Sequence, residues 1–137
     1  MSFTGSVEDR LAIRERIEAY ADAVFRRDGD DWIACWAEDA EWSLMGMTLS
    51  GKAVIRGAWE QAMAGFPLAA FFGQPGAIEV SGDRAAVRVY TQEVLTTPDG
   101  GLRRVVGRYD DTLTRVNGQW LFARRVYTIL NDRSEAA

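Results

Sequence analysis

Residues 102–130 read LRRVVGRYDDTLTRVNGQWLFARRVYTIL, two long runs joined at Asn117-Gly118. An Asn-Gly pair readily takes the positive φ of a tight turn, so the runs, about 102–116 and 119–130, are expected to pair antiparallel. Each is much longer than a usual strand of about five or six residues. Strands of that length twist and curl. Working back along the chain, Thr97-Pro98-Asp99-Gly100-Gly101 and Ser81-Gly82-Asp83 mark two further turns. Between them Ala85, Val87, Val89 and Thr91 alternate with Ala86, Arg88, Tyr90 and Gln92, and the twofold period begins near residue 77 with Ile78 and Val80. This reads as a hairpin leading into the long pair.

The first half of the chain has a helical period. Ser6 with Asp9 three residues later is a capping-box pattern, and Ile13, Ile17, Tyr20, Ala21 and Val24 follow at helical spacing, which predicts a helix from Val7 to Arg27. Asp28-Gly29-Asp30 breaks it, and Asp30 is expected to cap a short second helix carrying Ile33 and Trp36. A strand follows near Ala40 to Met45. Ser50-Gly51 precedes a third helix, roughly Lys52 to Ala64, with Ile55, Trp59 and Met63 on one face and Gly65 and Pro67 at its end. Three helices followed by a meander of long strands imply an α+β domain whose helices cover one face of a curved sheet, a cone with a natural cavity.

At 137 residues, 47% hydrophobic and 26% charged, the chain suits one domain, 1–137, with 1–6 and 131–137 as frayed ends. The net charge of −4 repels a phosphate backbone, and the Arg26-Arg27, Arg103-Arg104 and Arg124-Arg125 pairs are scattered among acids, so no nucleic-acid partner is expected. Met1 to Arg10 carries early acids and no apolar stretch, which argues against a secretion signal; no membrane span follows, and a cytoplasmic location is the expectation. Cys35 is alone and histidine is absent, so an internal disulfide is ruled out and zinc, copper or haem would lack their usual ligands. A carboxylate-bound hard cation stays open in principle, but no loop has the spacing to hold one, and no metal site is assigned.

The element order, together with Asp9-Arg10-Leu11-Ala12, Tyr20 with Asp22 and Asp28, Asp39-Ala40-Glu41-Trp42, and Trp120 with Phe122, resembles the NTF2-like fold and its SnoaL-like branch over about residues 7–130. The local matches look like the hexachlorocyclohexane dehydrochlorinase group. That group, scytalone dehydratase and the polyketide cyclases of the branch act on small apolar substrates without a metal or organic cofactor. By the resemblance, Asp28 stands where the dehydrochlorinase has its catalytic aspartate, Phe71 where it has its histidine, Arg125 where an arginine stands near that dyad, and Trp42 at a pocket aromatic. The replacement by Phe71 removes the group that takes the proton in that mechanism.

Two functions follow as expectations: a cofactor-free lyase, isomerase or cyclase acting on a small apolar cyclic molecule, or a non-catalytic protein that binds a hydrophobic ligand. The catalytic candidates are Asp28 as acid or base, Tyr20 or else Tyr90 as donor to a substrate oxygen, and Arg125 as the group orienting Asp28. Each has a structural alternative: Asp28 as a turn cap, Tyr20 as a core aromatic, Arg125 in a salt bridge. An ordinary Asp, with a pKa of about 3.9, is a weak base at neutral pH, and an Arg125 contact would lower it further. Val24, Trp42, Leu44, Trp59, Phe71, Tyr90, Gln92 and Tyr109 are the candidate substrate-binding residues. Tyr90 and Gln92 share one strand face, which is either exposed or at a subunit interface, or, as the resemblance implies, turned to the pocket. Asp39 and Glu41 read as ordinary surface acids or, less readily, as a catalytic pair. Glu93 and Asp111 are further acids on strands whose facing the sequence leaves open. A homo-oligomer, dimer or trimer, is expected through the sheet.

Overall fold

The computed structural model describes all 137 residues, Met1–Ala137. Helix α1 spans Val7–Arg26 and starts where the Ser6 hydroxyl accepts the Asp9 N–H at 3.0 Å. It buries Ile13, Ile17, Tyr20, Ala23 and Val24. Arg27 ends it in the left-handed conformation, with φ 56°, and its guanidinium reaches the Met63 carbonyl at 2.6 Å and the Phe66 carbonyl. One residue thus stops a helix and ties it to the end of another. The next cap is Asp28 rather than Asp30: its carboxylate accepts the Asp31 N–H, opening α2 at Gly29–Ile33. Helix α3, Lys52–Met63, buries Ile55, Trp59 and Met63 as the fourfold spacing requires.

The strands are β1 (Phe3–Thr4), β2 (Trp36–Leu44), β3 (Met47–Ser50), β4 (Ala69–Ser81), β5 (Arg84–Thr96), β6 (Leu102–Val116) and β7 (Gln119–Glu135), in the order β1-β4-β5-β6-β7-β2-β3. The sheet is mixed: β1 lies parallel to β4 and β2 parallel to β7, while the remaining neighbours are antiparallel. Sheet structure begins at Ala69, earlier than the twofold period from residue 77 predicts, because the buried Ala69-Ala70-Phe71 run carries no alternation to read. The expected fraying is also corrected. Phe3 and Thr4 pair with Ile78 and Glu79, and β7 continues paired with β6 as far as Glu135.

Strands of 13, 13, 15 and 17 residues form the meander β4–β7. Three bulges bend it, leaving Gly76, Ala123 and Leu130 without register partners. The Ala123 bulge matters most, because strict alternation puts Phe122 and Arg125 on opposite faces. With one residue extra, both turn inward and both are completely buried. The concave face then carries Val87, Val89, Thr91, Glu93 and Leu95 from β5 and Val105, Gly107, Tyr109, Asp111 and Leu113 from β6. Helices α1 and α3 close over it, forming one core cluster of 25 buried residues.

Removing the α1 cap tests the local argument. Ser6→Ala is expected to lower stability by about 1 kcal/mol in urea unfolding, with the slope unchanged.

Candidate functional site

At the floor of the cone the Arg125 guanidinium donates to both Asp111 carboxylate oxygens, at 2.8 and 2.9 Å, and both side chains are sealed from solvent. Burial pushes the Asp111 carboxyl up and Arg125 pulls it back, leaving it at about 6 and ionised at neutral pH. Three rings enclose the guanidinium: Tyr109 at 3.7 Å, Phe122 at 4.0 Å and Tyr20 at 4.5 Å from its central carbon. The pair belongs to the core. It holds Tyr20 and Tyr109 beneath a cavity of about 160 Å³.

The cavity walls are almost wholly apolar. Tyr20 and Val24 come from α1, Trp59, Ala62 and Met63 from α3, Trp42 and Leu44 from β2, and Phe71, Leu95, Val105 and Ile129 from the long strands. Trp59 is fixed by Trp32 of α2, whose ring stacks on it at 4.5 Å with only 8° between planes. Trp42 donates its indole N–H to the Tyr109 hydroxyl at 3.0 Å, which leaves that hydroxyl's own proton to donate. Burial raises Tyr20 to about 12 and lifts Tyr109 well above the ordinary tyrosine value, so both stay protonated.

Of the 19 lining residues only Glu93 and Arg103 are charged. Glu93 projects from β5, where burial raises its carboxyl above the ordinary value against the pull of the Tyr127 hydrogen bond and Arg103. Tyr127 donates to Glu93 Oε2 at 3.2 Å and lies 3.3 Å from the Thr91 hydroxyl. Arg103 is clamped by both oxygens of Asp132, at 3.0 and 2.7 Å. Glu93 is thus a single acid, its protonation raised by burial, set among apolar walls. No three acidic or thiol side chains gather where they could hold a metal ion.

The structure sorts the expected residues into two sets. Tyr20, Val24, Trp42, Leu44, Trp59, Phe71 and Tyr109 meet at the cavity, whereas Asp28, Tyr90 and Gln92 do not. Asp28 faces outward beside Arg26, at 3.2 Å, and the Asp31 N–H, followed by Arg26, holds its carboxyl below the ordinary range. The expected Asp28–Arg125 contact is absent because Asp111 takes Arg125. Arg125 itself lies under the cavity rather than in its lining. Tyr90 and Gln92 stand on the convex face; Tyr90 is 45% exposed. Alternation places them opposite Thr91 and Glu93, so one strand cannot send both sets into the cavity. Tyr127 and Arg103 were missed by the sequence reading. Glu93 was weighed only as a residue of unknown facing, although the step Val87, Val89, Thr91 continued by two reaches it.

A family model for the SnoaL-like domain matches residues 5–126. No curated protein matches the chain. Among solved structures, a candidate aromatic ring hydroxylase from Novosphingobium aromaticivorans is 28% identical, with a TM-score of 0.87 over 98% of this chain and 96% of its own. A candidate scytalone dehydratase from the same organism is 21% identical, with a TM-score of 0.87 over 96% of this chain and 90% of its own. The hexachlorocyclohexane dehydrochlorinase LinA-type3 of Novosphingobium barchaimii is 20% identical, with a TM-score of 0.80 over 96% of each chain. The latter two likenesses are likenesses of fold.

The buried pair makes a sharp prediction. Arg125→Met alone is expected to cost about 3–5 kcal/mol, because it strands a buried carboxylate, and adding Asp111→Leu is expected to restore most of the loss. Denaturant titration of the two single variants and the double one measures this. A double variant as unstable as the sum of its parts would contradict it.

Proposed function

We propose that this chain, which belongs to the SnoaL-like domain family, binds a small, largely apolar ring compound in its cavity and moves a proton on it with Glu93, as a cofactor-independent isomerase or lyase. The observation that carries this reading is Glu93 itself: the one acid among the lining residues, with its protonation raised by burial and its carboxylate held by Tyr127. The cavity of about 160 Å³ is close to the roughly 150 Å³ of an engineered apolar cavity that takes up benzene, so one six-membered ring is the natural scale of ligand.

A desolvated carboxylate is a better base than a surface one. In an isomerisation, Glu93 takes a proton from the carbon beside a ring carbonyl, and the freed electron pair moves onto the oxygen. A protonated tyrosine hydroxyl stabilises that developing charge, a role suited to Tyr20 or Tyr109. Glu93 then returns the same proton to another carbon of the conjugated system. One carboxyl suffices. In an elimination, the same abstraction expels a leaving group from the neighbouring carbon. Asp28, held ionised at the surface, takes no part.

By the resemblance Phe71 stands where the dehydrochlorinase has its histidine, which favours a second reading, a ligand-binding protein without turnover. Incubating the protein with small cyclic ketones and lactones, and following each by chromatography, separates the two. Binding with turnover lost in Glu93→Gln and kept in Asp28→Asn supports the enzyme. Ligand-induced rises in melting temperature without turnover, unchanged by Glu93→Gln, support the binder. The exposed Phe72, Tyr90, Val106 and Leu130 on the convex sheet face support assembly into a dimer or trimer, which light scattering reads directly.

The raised Glu93 carboxyl also sets a pH dependence. Its value in the unfolded chain is the ordinary 4.5 and its folded value is higher. The folded state therefore holds the proton more tightly; its contribution is full below 4.5 and is lost as pH rises through the folded value. Glu93→Gln cannot ionise, so relative to wild type it is expected to gain stability between pH 4 and pH 8. A difference that stays constant over that range would contradict the burial argument.

A further inference from the structure

Gly107 sits on the concave face of β6, paired with Thr91 of β5 and Ile129 of β7. A Cβ there would lie 2.2 Å from the Tyr127 hydroxyl and 2.3 Å from the ring carbon that bears it. The missing side chain is therefore the bed on which the Tyr127 ring lies, letting the ring cross from β7 over β6 to reach β5. There its hydroxyl stands between two oxygens, Glu93 Oε2 at 3.2 Å and Thr91 Oγ1 at 3.3 Å, the second contact open to either direction of donation. Thr91 is a fully buried polar residue on a face it shares with Val87, Val89, Glu93 and Leu95.

We propose that Tyr127, seated by Gly107 and backed by Thr91, is the positioning residue that lets Glu93 hold and release a proton without leaving a buried polar atom unpaired. With Glu93 ionised, Thr91 donates to the Tyr127 oxygen and Tyr127 donates to the carboxylate. With Glu93 protonated, the carboxyl donates to the Tyr127 oxygen and Tyr127 donates to Thr91. No bond to hydrogen breaks within the chain; two hydroxyls rotate. A fixed donor would favour one charge state only, since an unpaired buried donor or acceptor is costly. The inference rests on the reading of Glu93 as the proton carrier.

The groups facing Glu93 are few. Tyr127 and Asp132 approach from β7 and Arg103 and Tyr109 from β6, Phe71 and Val105 flank Glu93 in register on β4 and β6, and Tyr20 faces it from α1. Arg103 is already clamped by Asp132, which leaves Tyr127 as the one neutral group bonded to the carboxylate.

The experiment is a carboxyl-carbon NMR titration of ligand-free protein labelled at glutamate, with Glu93→Gln identifying the resonance. In Tyr127→Phe, which loses one oxygen and no ring, the Glu93 midpoint is expected to rise, because the bond Tyr127 donates to the ionised carboxylate is charge-assisted and stronger than the one it accepts from the protonated carboxyl. Thr91→Val is expected to lower it, because Tyr127 then has only the carboxylate to donate to and favours the ionised form; a rise there contradicts the two-way exchange. Gly107→Ala is expected to match Tyr127→Phe although every oxygen is still present. The pH profile of any turnover is expected to shift with the midpoint. A Glu93 midpoint unmoved or lowered in Tyr127→Phe overturns the proposal, as does a Gly107→Ala protein that titrates like wild type. Because the titration needs no ligand, failure to find turnover sinks the enzymatic reading alone and leaves this result standing.

Discussion

The cone is organised by a charge that it buries completely. Arg125 and Asp111 face each other in register on β7 and β6, and the Ala123 bulge turns the arginine inward beside Phe122. Once buried, the guanidinium needs a carboxylate and covering rings; Asp111 supplies the first, and Tyr20, Tyr109 and Phe122 the second. A buried ion pair is a poor source of stability compared with a well-packed apolar substitute, but it tolerates few alternative arrangements. Here it fixes the register of the two longest strands and the heights of two tyrosine hydroxyls. The cavity inherits its floor from that arrangement.

Above the floor, desolvation acts on Glu93. The lining removes water from Glu93 and gives back one hydrogen bond and one arginine that is already engaged. An acid in such surroundings exchanges its proton more readily near neutral pH than one at the surface. Asp28 shows the contrast within the same chain. It caps a helix, is bonded to Arg26, and is held in the ionised form. Phe71 packs its ring 5.4 Å from Tyr20.

The sequence made the architecture legible because the features that determine it are local. Ser6 with Asp9, the spacing of Ile55, Trp59 and Met63, and Asn117-Gly118 each name a cap, a face or a turn, and α1, α3 and the β6–β7 hairpin follow. What stayed hidden depends on events that no short window contains. A single extra residue at Ala123 reverses the facing of β7 from there to the next bulge at Leu130, so twofold counting along β7 cannot carry Phe122 and Arg125 to the same side. Arg125 found Asp111 rather than Asp28 because cross-strand register, not chain proximity or family position, decides which carboxylate it meets. Tyr127 reaches Glu93 only because Gly107, on a third strand, is bare. Seven of the cavity residues were readable because apolar side chains on the inner faces of the helices and of the curved sheet have nowhere else to go.

The most direct test of the account is a crystal structure of the protein soaked with cyclohexenone, a ring of the size the cavity admits. Electron density for the ring is expected between Trp59 and Val105, with a ring carbon in contact with the Glu93 carboxylate and the carbonyl oxygen within hydrogen-bonding distance of Tyr20 or Tyr109. A ring bound beside Asp28, or on the convex face at Tyr90 and Gln92, with the cavity left unfilled, would contradict it.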